Sequence, residues 1–255
     1  MKIAISFDVE PDIHTGSYKG IYEGIPRAKN LLDKHGIKGT FFTTCDCIER
    51  YPEIFQTLKN EGHEIALHGY LHERFDDLSF KDKEGRIEKS LTCFWQHLKE
   101  RPRGFRSPQH SVDKQTIALL DKYGFKYDSS LTPLNALQIL FFPKRLKSNF
   151  VNFFSNPRKH RIMGDLIEIP TSSLLIPCVS LVFRVLPRFM TAAYLRVLGA
   201  LNKEIVFYAH SWDFIELKES KTDRTFSHNK FIKNLDYILG RLKKKSRFVK
   251  MSNLI

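Results

Sequence analysis

The sequence predicts an α/β protein with a parallel sheet, and three observations support this prediction. Short segments rich in β-branched and aromatic residues alternate with segments of helical periodicity through the first half of the chain. Glycines end several of the helical segments, at Gly36, Gly62 and Gly124. Polar residues then follow directly after the apolar strand segments. Because strands alternating with helices are typical of βαβ units, we expect parallel strands with helices packed against them.

Eight short segments have the composition of buried strands. The first is followed directly by Asp8, and the seventh is followed by His210. The predicted strands are Ile3–Phe7, Lys38–Thr44, Glu64–Leu67, Arg103–Arg106, Phe125–Asp128, Leu166–Ile169, Glu204–Ala209 and Arg247–Met251.

Six segments between these strands are predicted to be helical. Asp82 precedes the longest of them and is a candidate N-cap. The predicted helices are Ile21–His35, Ile48–Glu61, Lys83–Glu100, Val112–Tyr123, the second half of Leu174–Leu201, and Asn229–Leu242.

The 255 residues fit a single domain, 1–255, with an irregular basic and aromatic insertion at about 132–163. The stretch Leu134–Ile162 contains no acidic residue. Nine Lys and Arg face only two acids between Leu131 and Ala200, which accounts for +7 of the net charge of +13. Such a balance favours anionic partners, namely phosphate, nucleic acid or a lipid surface. No zinc-finger or RNP-type signature is present, so a nucleic-acid partner is not expected.

The sequence also indicates a location. The first residues become acidic at Asp8 and Glu10, too early for a signal peptide, and no apolar run reaches the 18 residues of a membrane span. The four cysteines lack paired metal-site spacing and fit a reducing compartment. Cys45 and Cys47 are interpreted as two thiols at a strand end, with a redox pair as the alternative. We therefore expect a cytoplasmic protein, with peripheral contact at the inner membrane face as a further hypothesis.

Two histidines, His68 and His72, follow the third predicted strand at a spacing of four residues. On a helical turn this spacing puts both imidazoles on one face, where they can hold one divalent metal. The alternative is a chance pair, since the chain contains ten histidines. A metal site also needs a carboxylate ligand, and an active site needs a base and an acid.

Those groups occur at the carboxyl ends of the predicted strands, where parallel α/β proteins gather their chemistry. Each has a structural alternative, as a turn residue, a surface charge or a core histidine. Together they predict a catalytic rim. The rim residues are Asp8, Glu10, His68, His72, Arg106, Asp128 and His210.

Six short motifs resemble the polysaccharide deacetylases, the NodB-homology family of carbohydrate esterases, in order and approximate spacing. They are Ser6-Phe7-Asp8, Gly39-Thr40-Phe41-Phe42, His68-x-x-x-His72, Phe105-Arg106-Ser107-Pro108, Tyr127-Asp128-Ser129-Ser130 and His210. The resemblance implies a distorted (β/α) barrel with fewer than eight regular strands. It also implies hydrolysis of an N-acyl group on an amino sugar with the help of one divalent metal. The metal expected is zinc, with cobalt, nickel, manganese or iron as alternatives.

The resemblance implies roles for five of the seven rim residues. Asp8 corresponds to the catalytic base, Arg106 to the arginine that orients the base, and His210 to the general acid. His68 and His72 correspond to the metal-binding histidines.

The carboxylate ligand departs from the usual pattern. Many family members have a second aspartate directly after the base, whereas this chain has Val9 there. A subset places the ligand two residues after the base, which here is Glu10. Alternation along an extended segment puts Asp8 and Glu10 on the same side. Asp12 remains the competing candidate.

A second departure concerns the acid. Near Glu168-Ile169-Pro170-Thr171, many members carry an Asp-Trp pair that tunes the acid histidine, and this chain has none. Asp213, three residues after His210, is the candidate replacement.

The favoured function is removal of an N-acyl group, most simply N-acetyl, from a carbohydrate or a lipid-linked sugar. One alternative is a related hydrolase, either a deformylase of a lipid-linked amino sugar or a cyclic-imide or ureide hydrolase. Another is a non-catalytic carbohydrate-binding protein, which the complete set of rim residues disfavours.

The stretch from Leu131 to Ala200 also has the composition of a membrane-interface segment. The alternative is an insertion packed on the barrel with its phenylalanines in the core. The residues that suggest the interface are Phe141, Phe142, Lys144, Arg145, Lys147, Phe150, Phe153, Phe154, Arg158, Lys159, Leu174, Leu175, Val182, Phe183, Arg184, Leu186, Arg188 and Phe189.

Overall fold

The structure, a computed structural model, describes residues 1–12, 15–133, 155–174, 176–217, 225 and 227–255. Within these residues one curled sheet has nine strands, and all neighbouring strands are parallel except one pair. The expected distorted barrel is confirmed, since only five of the nine strands are four residues or longer. The strands are β1 Lys2–Val9, β2 Thr40–Thr43, β3 Glu64–Leu67, β4 Gly104–Phe105, β5 Tyr127–Asp128, β6 His160–Met163, β7 Leu166–Glu168, β8 Glu204–His210 and β9 Arg247–Val249.

Strand β1 is the centre of the sheet and the element that positions the site. It pairs with β8 along nearly its whole length on one edge. On its other edge, β9 pairs with the first half and β2 with the second half. From β2 the order continues through β3, β4, β5 and β7 to β6. The amide of Ser172 donates to the carbonyl of Val206, so the chain after β7 returns to the free edge of β8 and curls the sheet.

The side chains of β1 point alternately to the two faces of the sheet, and the hydrophobic core is accordingly in two parts. Ile3, Ile5 and Phe7 belong to the larger cluster, which includes the apolar residues of the surrounding helices. Ala4 belongs to a smaller cluster with Phe42, Ala66, Tyr127 and Val206 from other strands. Successive side chains of a strand point to opposite faces. Ser6 and Asp8 therefore point to the same side as Ala4, into the interior of the curled sheet.

Helices surround the sheet, and several differ from the sequence prediction. The predicted helix Ile21–His35 begins as a π-helix, Gly20–Gly24, and continues as an α-helix from Ile25. The predicted helix Ile48–Glu61 is two helices separated at Tyr51, because Pro52 disfavours a helical conformation in the residue before it. The helix predicted from Lys83 begins at Phe80, with Ser79 rather than Asp82 as its N-cap. The helices are α1 Ile25–Lys34, α2 Cys45–Arg50, α3 Pro52–Asn60, α4 Phe80–Leu98, α5 Lys114–Lys122, α6 Ser180–Val185, α7 Arg188–Leu201 and α8 His228–Leu242.

The predicted insertion is partly regular. Its last residues begin β6, which pairs antiparallel with β7 at the edge of the sheet. Residues 134–154, which include Phe141, Lys144, Arg145 and Lys147, lie outside the described residues, as does Leu175.

Part of the predicted membrane-interface segment belongs to the hydrophobic core. Val182 and Phe183 are buried, and Arg184 is buried against Asp213. Phe189, by contrast, is 73% exposed. Among the described residues, no helix combines the length and the apolar character needed to cross a membrane.

Candidate active site

The first feature of the site is a buried ion pair between Asp8 and Arg106. Asp8 lies near the end of β1, and Arg106 follows β4. Arg106 Nη1 donates to Asp8 Oδ1 at 2.6 Å and also contacts Ser6 Oγ at 3.1 Å. Burial alone would raise the pKa of Asp8, but the positive charge of Arg106, together with that of His210, lowers it below its ordinary value. Asp8 is therefore held ionised and fixed.

The second feature is a cluster of three side chains that could hold a metal ion, Glu10, His68 and His72. Glu10 Oε2 lies 2.9 Å from His68 Nε2 and 2.7 Å from His72 Nε2. The predicted helical turn is wrong, since neither histidine belongs to a helix. Gly69 instead adopts φ +92° directly after β3, and a side chain there would approach the carbonyl of Leu71 and the ring of Phe75. This sharp turn brings His72 back beside His68.

The cluster has the chemistry of a divalent-metal site. The Nδ1–H of His68 donates to the carbonyl of Arg106 at 2.7 Å, which leaves Nε2 with the free electron pair that a metal needs. Glu10 Oε2 is buried and has no hydrogen-bond donor among the described residues, although two imidazole nitrogens face it. A cation between these atoms would resolve that arrangement, so the residues fit a metal.

Asp12 takes a different position from Glu10. It is buried but does not belong to the group of convergent ligand atoms. Asp12 lines a cavity of about 460 Å³ together with Pro11, Asp46, His72 and Gln109. The cavity thus opens directly beside His72, one of the candidate metal ligands.

The third feature is His210 with its carboxylate partner. His210 Nδ1 lies 3.6 Å from Asp213 Oδ2, and Arg184 Nη2 binds Asp213 Oδ1 at 2.7 Å. Burial lowers the pKa of His210, but contact with Asp213 outweighs this and raises the pKa to about 9. The ring of Trp212 stacks on His210 with centroids 4.4 Å apart. Asp213 thus lies beside His210, where it can replace the missing Asp-Trp pair. With this raised pKa, His210 is protonated at neutral pH.

Tyr208 and His110 also lie beside the site, and the sequence analysis did not include them in the rim. The Tyr208 hydroxyl lies 3.2 Å from His110 Nε2, and His110 Nδ1 donates to the carbonyl of Ser130 at 2.9 Å. Burial lowers the pKa of His110 to about 4, so the ring is neutral. Alternation along β8 could have found Tyr208, since residues two apart share a face with His210. His110 offers no such signal, because it ends a short, distorted 3-10 helix, Pro108–His110, and adopts φ +55° there.

Residues 1–127 match the family model for polysaccharide deacetylase. The chain is 37% identical over 157 residues to the peptidoglycan deacetylase-like protein of Gibberella zeae, covering 58% of this chain and 46% of that protein. It is 34% identical over 170 residues to the peptidoglycan deacetylase of Helicobacter pylori, covering 65% and 58%. The chain therefore spans about half the length of these curated relatives.

A solved structure has the same fold over the whole chain. It is a Mycobacterium smegmatis protein assigned to the polysaccharide deacetylases, with a TM-score of 0.73 and 20% identity, covering 99% of this chain and 88% of that one. The fold and the rim residues thus define a polysaccharide deacetylase-type protein, and the chain belongs to the polysaccharide deacetylase family.

Proposed function

We propose that the protein is a metal-dependent hydrolase that removes an N-acyl group, in the first place N-acetyl, from an amino sugar of a glycan or glycolipid. The observation that supports this most is the meeting of three features at one end of the sheet: the Asp8–Arg106 pair, the Glu10–His68–His72 cluster, and protonated His210. Two relatives carry peptidoglycan deacetylase in their names, which favours the same type of bond.

The residue types match the needs of amide hydrolysis. An amide resists water because water is a weak nucleophile and the departing amine is a poor leaving group. Asp8, held ionised by Arg106, would accept the proton of the attacking water. His210, protonated at neutral pH, would donate a proton to the departing nitrogen.

Glu10, His68 and His72 would hold one divalent metal. The metal would supply Lewis-acid chemistry, which lowers the pKa of water and stabilises negative charge on the carbonyl oxygen. Two imidazoles and one carboxylate are a ligand set found at catalytic zinc sites, so zinc is the first candidate. Cobalt, nickel, manganese and iron also bind such ligands.

The test is mass spectrometry of N-acyl amino sugars, free, nucleotide-linked and lipid-linked, after incubation with the zinc-loaded protein. We expect loss of an acetyl group from at least one substrate, and at least about 10²-fold slower loss with Asp8→Asn as the matched control. Release of formate would instead favour the deformylase, and ring opening of a cyclic imide or ureide would favour the other hydrolase. If no substrate of any class is converted while carbohydrate still binds, the proposal fails and a binding protein remains.

We also propose that the protein contacts an anionic membrane surface, which would bring it close to a lipid-linked sugar. An apolar stripe on α6 and α7 supports this, and its members are 36–73% exposed. The two helices contain no acidic residue. The stripe ends beside a cavity of about 500 Å³ whose lining includes Arg158, Lys159 and Lys203. The apolar stripe consists of Leu181, Val185, Phe189, Met190, Val197 and Leu201.

A further inference from the structure

Two buried carboxyl groups beside the site have no part in the mechanism above. Asp128 ends β5, Glu168 ends β7, and the two are register partners on adjacent parallel strands. Neither has any exposed surface. Two carboxylates this close, away from water, cannot both ionise without strong repulsion. The carboxyl pair, Asp128 and Glu168, must therefore hold at least one proton.

Hydrogen bonds account for two of the four carboxyl oxygens of the pair. Asp128 Oδ1 accepts from the amide of Ser129 at 2.9 Å and the hydroxyl of Ser130 at 2.6 Å, while Glu168 Oε1 accepts from the amide of Leu131 at 3.0 Å. The remaining oxygens, Asp128 Oδ2 and Glu168 Oε2, have no donor among the described residues. The register of β5 and β7 puts the two carboxyl groups side by side. A single shared proton satisfies both oxygens.

Glu168 is the member that keeps the proton. Burial raises the pKa of both groups, and the neighbouring charge of Asp128 raises that of Glu168 further. The donors on Ser129 and Ser130 stabilise the ionised form of Asp128. Arg106 also faces the pair, and its charge favours ionisation of both members.

The carboxyl pair fixes the turn that follows β5, and this turn holds Arg106. Arg106 Nε donates to the carbonyl of Ser129 at 3.1 Å, and Nη2 donates to the Ser129 hydroxyl at 3.0 Å. The third nitrogen, Nη1, is then directed at Asp8. If Glu168 were also ionised, Arg106 would face one more negative charge competing with Asp8.

We infer that protonated Glu168 and ionised Asp128 are positioning residues that hold Arg106 against Asp8. The positioning role rests on the proposed role of Asp8 as the base. The protonation of the carboxyl pair does not depend on that role.

The test compares Glu168→Gln with Glu168→Ala in the metal-loaded protein. Glutamine keeps a neutral donor toward Asp128 and an acceptor for the amide of Leu131, so activity should remain close to that of the wild type. Alanine removes both, and we expect kcat to fall about 10²-fold with little change in KM, the size of loss that follows from a misplaced catalytic group. Elemental analysis should show an unchanged metal content in both variants, because Glu168 does not belong to the ligand cluster.

A second measurement locates the proton without relying on activity. Infrared difference spectra of the wild type at neutral pH should show the carbonyl band of a buried protonated carboxylic acid, and Glu168→Gln should remove it. Absence of the band, or a glutamine variant as inactive as the alanine variant, would overturn the inference. If the wild type deacylates nothing, the proposed function fails, while the band still decides the protonation of the pair. If Glu168→Ala does not fold, the activity of Glu168→Gln and the infrared band of the wild type still test the inference.

Discussion

Asp8 and His210 are register partners on the adjacent parallel strands β1 and β8, so both side chains point to the same face of the sheet. Their surroundings differ. The Asp8 side chain is 5% exposed and held by Arg106, whereas that of His210 is 29% exposed beside Asp213. The pKa of Asp8 is lowered and that of His210 is raised. Because the two pKa values are shifted in opposite directions, one group can act as the base and the other as the acid at the same pH.

Replacing Asp8 with asparagine should remove the base and keep the shape of the side chain. We expect kcat to fall by about 10²–10⁴-fold, the usual contribution of a general base. Steady-state kinetics at a temperature where circular dichroism shows a folded protein is the measurement. Ser6→Ala is the matched control, because it removes another contact of Arg106 but no charge. Unchanged turnover in Asp8→Asn would eliminate Asp8 as the base.

Activity should decline on the alkaline side as His210 loses its proton. The active form is protonated and its pKa is raised to about 9, so kcat/KM should be sustained at neutral pH and fall as the pH rises through about 9. Asp213→Asn removes the main group that raises this pKa, so the alkaline limb should move to lower pH. The measurement is the pH profile of kcat/KM in both proteins. An alkaline limb at the same pH in Asp213→Asn would contradict the assignment of His210 as the acid.

Replacing the candidate metal ligands should show whether Glu10 or Asp12 is the carboxylate ligand. Glu10→Gln and the double variant His68→Ala/His72→Ala should lose the bound metal, since their atoms converge on one point. Asp12→Asn should retain it, because Asp12 lies outside that group. Elemental analysis of the purified proteins is the measurement. A full equivalent of metal in the double variant would show that the site is elsewhere.

The sequence was sufficient to predict the parallel part of the sheet and the positions of most rim residues, because both follow from short-range patterns. Strand β6, which falls in the predicted insertion, was not predicted. The runs Ile3–Phe7 and Glu64–Leu67 are apolar enough to identify buried strands, and Asp8 and His68 follow them directly. Glu10 was favoured over Asp12 by the family resemblance, with which alternation along an extended segment agrees, and the structure puts it against both histidines.

What the sequence could not predict depends on contacts between distant segments. The predicted helical turn for His68 and His72 failed because the spacing does not reveal the positive φ of Gly69. The partnership of Asp128 with Glu168 joins strands 40 residues apart and is visible only in the strand register. Arg184 was included in the predicted membrane-interface segment, yet it is buried against Asp213 on another element.

The apolar stripe on α6 and α7 should direct the protein to anionic membranes. Phe189 and Val197 are 73% and 48% exposed on α7, and each basic residue near an anionic surface adds about 1 kcal/mol of attraction. We expect co-sedimentation with anionic vesicles at low salt, weaker binding at physiological salt because charges are screened, and little binding to neutral vesicles. Phe189→Glu and Val197→Glu should each reduce this binding. Trp95→Glu is the matched control, since Trp95 is 57% exposed on α4, away from the stripe. Absence of sedimentation with anionic vesicles at low salt, or an equal loss in Trp95→Glu, would show that the stripe does not bind membranes.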